Sequence, residues 1–415
     1  MRPDPRERGV ALILVLVILP LVAIIMTQLS FETAIGDRLA SNALANQQFI
    51  LAIRARETQM RLRLVRDLKD DEKNAGQEGG AYDHYGDLWG PDHEGGQTAV
   101  SVRKGDKDSG DEITLYTEVS DEQGKFNINL LTHKDEARAQ RARETFRNLL
   151  NFYRDEYFKD MERNSWDLDP HEANQVAESV YKFLRGEKRE GPIPLPPAEI
   201  PDPTTEMKQA IHSVRDLIFA DSLFVEKRLL ERFTDVETGQ TIPSLEDFIT
   251  IHGDGKVNVN TAKIQVLRAM FKDEHGQRVT AADILHGRGG FLNTMEDQDR
   301  RREDYDERKR LEEEGREDEQ EVQAYRSLND LTQVEGMGDT AVLRQNEIDV
   351  ARDFTVRTNF FLVIITAQRE NYYRQQRLVL ERHSRGCLTW ASEVRIAEMV
   401  DLPDRGPAPP ASQPP

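Results

Sequence analysis

Apolar residues are distributed very unevenly along this chain. Val10 to Met26 is an unbroken apolar run, VALILVLVILPLVAIIM, and the next charged side chain is Glu32. At about 1.5 Å per residue, Val10 to Ser30 makes a helix roughly 31 Å long, enough to cross a bilayer's hydrocarbon core. The pattern then turns amphipathic. Phe31, Ile35, Leu39, Ala43, Phe49, Ile53, Met60 and Leu64 recur at helical spacing as far as about Asp70, with Arg54, Arg56, Arg61, Arg63 and Arg66 among them. The expected element is one helix over 10–70, lipid-facing in its first half and able to pack on a sheet in its second.

A loop rich in Gly and Asp follows, from Asp70 to Gly96. The period then becomes two: Thr98 to Arg103 and Ile113 to Val119 alternate, with Lys104 to Gly110 as a hairpin connection. A second strand pair closes the chain, Phe354 to Thr366 and Tyr372 to Arg382. After it, a short helix is expected around Trp390 to Met399, then a tail from Arg405.

Between the two strand groups lies an internal echo. Gly124-Lys125-Phe126-Asn127-Ile128-Asn129 recurs as Gly255-Lys256-Val257-Asn258-Val259-Asn260. Each copy reads as a short strand whose Asn side chains satisfy free backbone groups, and each opens a helical block. The first block is expected to hold helices over Ala137–Leu150, Glu172–Leu184 and Lys227–Phe233, broken by the Pro-rich stretch 191–203. Thr132 with Asp135 resembles a capping box, and Asn260 or Thr261 is placed to cap the helix through Ile264, Leu267 and Phe271. The second block contains a nearly all-charged segment over 296–323, a solvated helix or a disordered insertion. It ends in SLNDLTQVEGMGDTA (327–341), where Gly336, Met337 and Gly338 form a helix-hairpin-helix turn and Ala341 starts the second helix.

Charge narrows the function. The 415 residues carry a formal net charge of −19, which argues against nucleic acid as the main partner, since phosphate binding needs a dense cationic surface. Such turns often bind DNA phosphate through their amides, but here Glu335 and Asp339 flank it. The single cysteine, Cys387, excludes an internal disulfide and a multi-cysteine zinc site. Catalytic signatures are missing: there is no HExxH and no GxSxG, and Gly287 to Gly290 lacks the Lys-Ser/Thr of a phosphate loop. The chain is therefore expected not to be an enzyme. For calcium, Asp106, Asp108 and Asp111 beside Gly110 form the candidate ligand set, although an Asp-rich hairpin turn accounts for the same residues. Asp83, His84, Asp87, Asp92 and His93 suggest either a metal or simply a polar loop.

The leader sets the orientation. Arg2, Arg6 and Arg8 hold the short end in the cytoplasm by the positive-inside rule, so the body would be exported. A signal peptide would need a small-x-small site after the apolar run, and none stands out; an uncut signal anchor fits as well. Gly9 directly before Val10 resembles the type IV prepilin processing site, where the peptidase cuts between them and leaves the helix on the mature chain. Pilins and most pseudopilins carry glutamate at the fifth mature position, but here it is Leu14.

With Leu14, the GKFNIN and KVNVNTA segments, LNDLTQVEGMGDTA and the closing FTVRT strand pair in this order, the chain resembles the K-type minor pseudopilins of type II secretion (general secretion pathway protein K). The resemblance implies an α+β pilin-like fold, a long N-terminal helix packed on an antiparallel sheet, with a large inserted helical domain of two SAM-like, helix-hairpin-helix-type subdomains. The divisions would be a leader 1–9, the helix 10–70, sheet 71–131, subdomains 132–254 and 255–352, last strands 353–385 and a tail 386–415. It implies a single-pass inner-membrane subunit with a periplasmic body at the tip of the pseudopilus. Its partners would be the I- and J-type minor pseudopilins and other pseudopilins, prepilin peptidase and the inner-membrane assembly platform, with secretin or secreted cargo as further contacts and no nucleic acid. One departure concerns calcium: the family's Asp-rich stretch is here Arg185-Gly186-Glu187-Lys188-Arg189. The runner-up is a membrane-anchored helix-hairpin-helix protein of DNA uptake, because VNVNTA before such a turn also occurs in competence-type proteins.

Overall fold

A computed structural model describes residues 5–74, 82–90, 100–102, 113–158, 168–187, 211–234, 241–288, 324–369, 372–383 and 386–398. Helix α1 spans Pro5–Asn74, beginning before and ending after the stretch expected from periodicity. From Leu16 to Leu44 its described apolar side chains are exposed. From Phe49 onward one face is buried: Phe49, Ala52, Ile53, Met60 and Leu64 pack on an antiparallel sheet.

The sheet contains β1 (Val100–Val102), β2 (Ile113–Asp121), β9 (Phe360–Arg369), β10 (Tyr372–His383) and β11 (Gly386–Glu398), in that spatial order. Alternation decides which side meets α1. Ile113, Leu115, Thr117, Val119 and Asp121 of β2 are buried, as are Leu378, Leu380 and Arg382 of β10. Trp89 closes this core, edge-on to Phe361 at 5.0 Å between centroids. Arg56, buried in the same interface, donates from Nε to Thr117 Oγ1 at 2.7 Å. A long helix laid across an antiparallel sheet in this way is the pilin-like arrangement.

β11 corrects the expected helix and tail at the C-terminal end. Residues 386–398 form a strand paired along β10, and the register shifts between Val379 and Leu380, where Trp390 is the extra residue of a bulge. Leu388, Trp390, Val394 and Ile396 alternate, and that period of two prevails over the helix propensity of the intervening Ala and Glu residues.

β2 and β9 are hydrogen-bonded neighbours, yet the helical insertion runs between them, from Asp121 to Phe360. It consists of two copies of one plan sharing a continuous core. The first opens with β3 (Phe126–Asn127), which pairs in parallel with β6 (Ile249–Thr250) at its end. The second opens with β7 (Val257–Asn258), paired in parallel with β8 (Phe354–Thr355). Inside the first are α2 (Glu136–Tyr157), α3 (Pro170–Leu184), the turn of helix α4 (Leu223–Glu226) and a hairpin of β4 (Phe233–Thr234) with β5 (Thr241–Ile242). Inside the second are α5 (Ile264–Ala269), α6 (Ala281–Gly287) and helical turns at Leu328–Leu331, Thr340–Gln345 and Val350–Asp353. The helix expected over Lys227–Phe233 is not there: α4 ends at Glu226, Arg228 takes φ 51°, and Phe233 begins a strand.

The echo has a structural meaning. Asn127 Oδ1 accepts from Asn129 N, and Asn258 Oδ1 from Asn260 N, each at 3.0 Å. Gly255 adopts φ 83°, a conformation other residues enter only under strain. The equivalence continues into a stretch without obvious identity. Ser213 and Asp216 make a capping box, with Asp216 also accepting from His212 N; Ser327 and Asp330 repeat it, with Asp330 accepting from Arg326 N. Each copy then has an Asp cap, a short helix and a non-glycine residue at positive φ, Arg228 or Glu347. The expected caps at Asn260 and Thr261 need correcting: Asn260 instead pairs with the Tyr325 backbone in both directions, and α5 starts after Lys263 without a side-chain cap. Asp135 caps α2, while Thr132 lies in the preceding 3₁₀ turn.

Candidate functional site

Two features give the molecule surfaces or geometry that could act: the exposed length of α1, and a buried polar junction where the sheet, α1 and the second repeat meet. In the first, Leu16, Leu19, Ile24, Met26, Leu29 and Phe31 are each more than 60% exposed. Thr27 and Thr33 turn their hydroxyls back on the carbonyls of Ala23 and Leu29, at 2.8 Å, so that neither hydroxyl interrupts the apolar surface unsatisfied. Pro20 sits inside the helix and removes one backbone donor. Among the described residues this is the one helix long and apolar enough to cross a membrane. Gly9 and Val10 lie on it near its start, and Leu14 lies one turn further on.

The junction centres on Arg382, which is 2% exposed at the end of β10. Its Nη1 donates to Asp67 Oδ2 at 2.5 Å, with Asp71 at 3.8 Å. Its Nη2 donates to both oxygens of Asp83, at 2.7 and 2.9 Å, and to the Thr358 carbonyl at 2.8 Å. One guanidinium thus holds α1, the segment 82–90 and the irregular segment leading into β9. Asp121, where β2 leaves the sheet, is the second hub. Its carboxylate accepts from Thr261 Oγ1 (2.6 Å), Asn258 Nδ2 (2.8 Å), Thr358 Oγ1 (2.6 Å) and Gln123 N (2.7 Å). The bonds from Thr261, Asn258 and Thr358 fasten the second repeat and the segment leading into β9 to the sheet, and the bond from Gln123 N closes a local turn.

One cation faces three carboxylates. Burial, then the neighbouring Asp87, pushes the Asp67 carboxyl up to about 8 against the pull of Arg382. Burial, then Asp83, pushes Asp71 up to about 7. Burial also raises Asp83, to about 6, despite its bonds to Arg382 and the Thr358 amide. These groups lie on the sheet-packed half of α1 and beyond it. The oxygens of Asp67, Asp71 and Asp83 come within 4.8 Å of one another, a spacing a metal could use. The guanidinium already bonded to Asp67 and Asp83, with Asp71 3.8 Å away, occupies the place of such a cation, so the set does not fit calcium. Asp83 is therefore an internal anchor rather than part of an open metal loop. Asp106, Asp108 and Asp111 lie outside the described residues, as do Asp92, His93 and the charged segment 296–323.

At the helix-hairpin-helix turn, Gly336 takes φ 82° and its α-carbon side faces Thr280. Met337 is buried, its amide bonded to the Val334 carbonyl at 3.0 Å. Asp339 caps the helix Thr340–Gln345. Glu335 and Asp339 are exposed, so the accessible rim of the turn is acidic.

No protein-family model matches the chain, and no curated protein matches it. Among solved structures, it is similar to a chain in the crystal structure of the GspK-GspI-GspJ complex from the enterotoxigenic Escherichia coli Type 2 Secretion System. The TM-score is 0.48 at 10% sequence identity, covering 84% of this chain and 96% of that one.

Proposed function

We propose that this chain is a K-type minor pseudopilin of a type II secretion system, an assembly subunit rather than an enzyme. The observation that carries this reading is the division of α1: an exposed apolar half, continuous with a half clamped to an antiparallel sheet whose middle strands are separated by a helical insertion. A body so built can stand on a membrane and stack its helix among sibling helices. Prepilin peptidase would cut between Gly9 and Val10, leaving the helix in place in the inner membrane with the body in the periplasm. In related subunits a glutamate at the fifth mature position bonds a neighbour's amino terminus. Leu14 offers no such carboxylate, which suits a subunit at the filament's apex. There it would join the I- and J-type minor pseudopilins, start pseudopilus assembly on the inner-membrane platform, and meet secretin or cargo.

Two measurements test this. Mass analysis of the amino terminus is expected to find a mature chain beginning at Val10; a chain beginning at Met1, or near residue 30, contradicts the processing. Affinity capture of the membrane-extracted full chain, co-expressed with I- and J-type subunits, is expected to recover both. Recovery of neither overturns the assignment.

A further inference from the structure

On the side of the sheet away from α1, the first repeat reaches Glu118 through Arg232 and Arg377 through Glu246. Farther from the insertion, the same side presents Thr114 and Tyr116 of β2, Thr366 and Gln368 of β9, and Tyr373 and Gln375 of β10, each half-buried. The register sets them in two rows, Thr114–Gln368–Tyr373 and Tyr116–Thr366–Gln375. Gln375 Nε2 donates to Thr366 Oγ1 at 3.2 Å, and neither tyrosine hydroxyl has a hydrogen bond among the described residues. None of these side chains is charged, in a chain of which 32% is. Two strand spacings across and two residues along put the tyrosines roughly 12 Å apart.

β11 delivers an occupant to this patch. Its last residue, Glu398, pairs with Tyr372, directly beside Tyr373. The chain from 399 onward lies outside the described residues; in its sequence the last charge is Arg405, and GPAPPASQPP (406–415) carries Pro407-Ala408-Pro409-Pro410, a PxxP motif. We infer that Pro407 to Pro410 lie in polyproline II form across Tyr116 and Tyr373, so that the chain's own tail straps the far side of its sheet. Proline rings stack on the tyrosine faces, and the motif's uncovered carbonyls accept from the tyrosine hydroxyls. The distance between the rings is about four residues of such a helix at roughly 3.1 Å each, the length of the motif. Reach is ample: the nine residues from Glu398 to Pro407 extend to roughly 28 Å, against roughly 14 Å for the three strand spacings from β11 to β2. Covering an uncharged face with an uncharged segment strips no ion of its water. Tethering selects this segment over a proline-rich partner in solution, because so short a linker holds it at an effective concentration on the order of millimolar. The strap closes the face to other proteins until it leaves, and it goes beyond the assembly role proposed above without depending on it.

The test places a photo-crosslinking phenylalanine analogue at Thr114, in the row of Tyr373, in the full detergent-extracted chain. Irradiation is expected to give a product of monomer mass whose tryptic digest joins residue 114 to the peptide beginning at Gly406. The triple substitution P407A/P409A/P410A is expected to cut that yield at least tenfold, whereas S412A, outside the motif, keeps it. Y116S/Y373S is expected to cut it as far as the proline substitutions do. A crosslink to the tail of a second copy, to another protein or to a glycan overturns the inference. So does the absence of any crosslink, or a yield that the proline substitutions leave unchanged. The pseudopilin reading is decided separately, by the amino terminus and by sibling capture, so its failure would leave this result standing.

Discussion

The two helical repeats follow one plan but are joined to the sheet differently. In the first, Asn127 donates only within its own repeat, to the carbonyls of His252 and Gly253. In the second, the equivalent Asn258 donates outward, to Asp121 and the Asp83 carbonyl. The first repeat meets the sheet through charged side chains instead: Glu246 with Arg377 at 2.8 Å, and Arg232 near Glu118 at 3.9 Å. One duplicated asparagine therefore closes a private turn in one copy and locks a buried junction in the other. Position relative to the sheet decides, because the second copy leads directly back into β9.

The strongest way to break this asymmetry is Arg382→Met. It strands buried carboxylates without their cation, and a loss of about 3–5 kcal/mol is expected at neutral pH. Hydrogen exchange should show the Thr358 amide losing protection while Leu149 and Leu150, deep in the first repeat, keep theirs. The loss should shrink below pH about 5, where the carboxyls are neutral.

Next in size is pH itself. Asp83 titrates near 6 when folded against an ordinary 3.8, and Asp71 and Asp67 higher still. The folded state therefore holds more protons than the unfolded chain between about pH 4 and pH 8. Stability contributed by the junction is complete below about pH 4 and is lost as pH rises from there to about 8, with about 3 kcal/mol of the loss from Asp83 alone between about pH 4 and pH 6. Denaturant midpoints measured across that range should fall with rising pH. A rise would contradict the buried cluster.

Asn258→Ala against Asn127→Ala sharpens the comparison further. The first leaves Asp121 short of a donor in a buried site and is expected to cost about 2–3 kcal/mol; the second exposes carbonyls nearer the surface and should cost about 1 kcal/mol. Equal losses in urea titrations would mean the copies are equivalent after all. The smallest effect should also be symmetric. Arg228→Gly and Glu347→Gly relieve φ values of 51° and 55°, and each is expected to stabilise by a few tenths to about 1 kcal/mol.

Much of this architecture was legible because its periodicities are clean. The apolar run of α1, the alternation of β2, the continuous apolar stretch of β9 and the Asn echo each follow from a local rule. Arg382 was legible in principle: counting by two from Leu378 and Leu380 puts it on the inward face of β10. It was missed because strand patterning treats an arginine near a strand end as solvent-exposed, and its partners lie hundreds of residues away. The repeated Ser-x-x-Asp-Leu at 213–217 and 327–331 was equally visible but lacked the identity that marks the Asn echo. β11 was misread because Ala and Glu favour helices locally, whereas a strand already waiting in β10 supplies the missing hydrogen bonds.

The separation of β2 from β9 also constrains how the protein comes into being. Bringing such distant segments together from an open coil costs roughly 5 kcal/mol in loop closure before any ladder forms. A condensed insertion removes most of that penalty, because Asp121, Asn258 and Thr358 already hold its two ends side by side. The order of maturation follows: β9 to β11 can pair with one another as local hairpins, but they complete the sheet on β2 only once the insertion between has collapsed. Until then the sheet beneath α1 lacks three of its five strands.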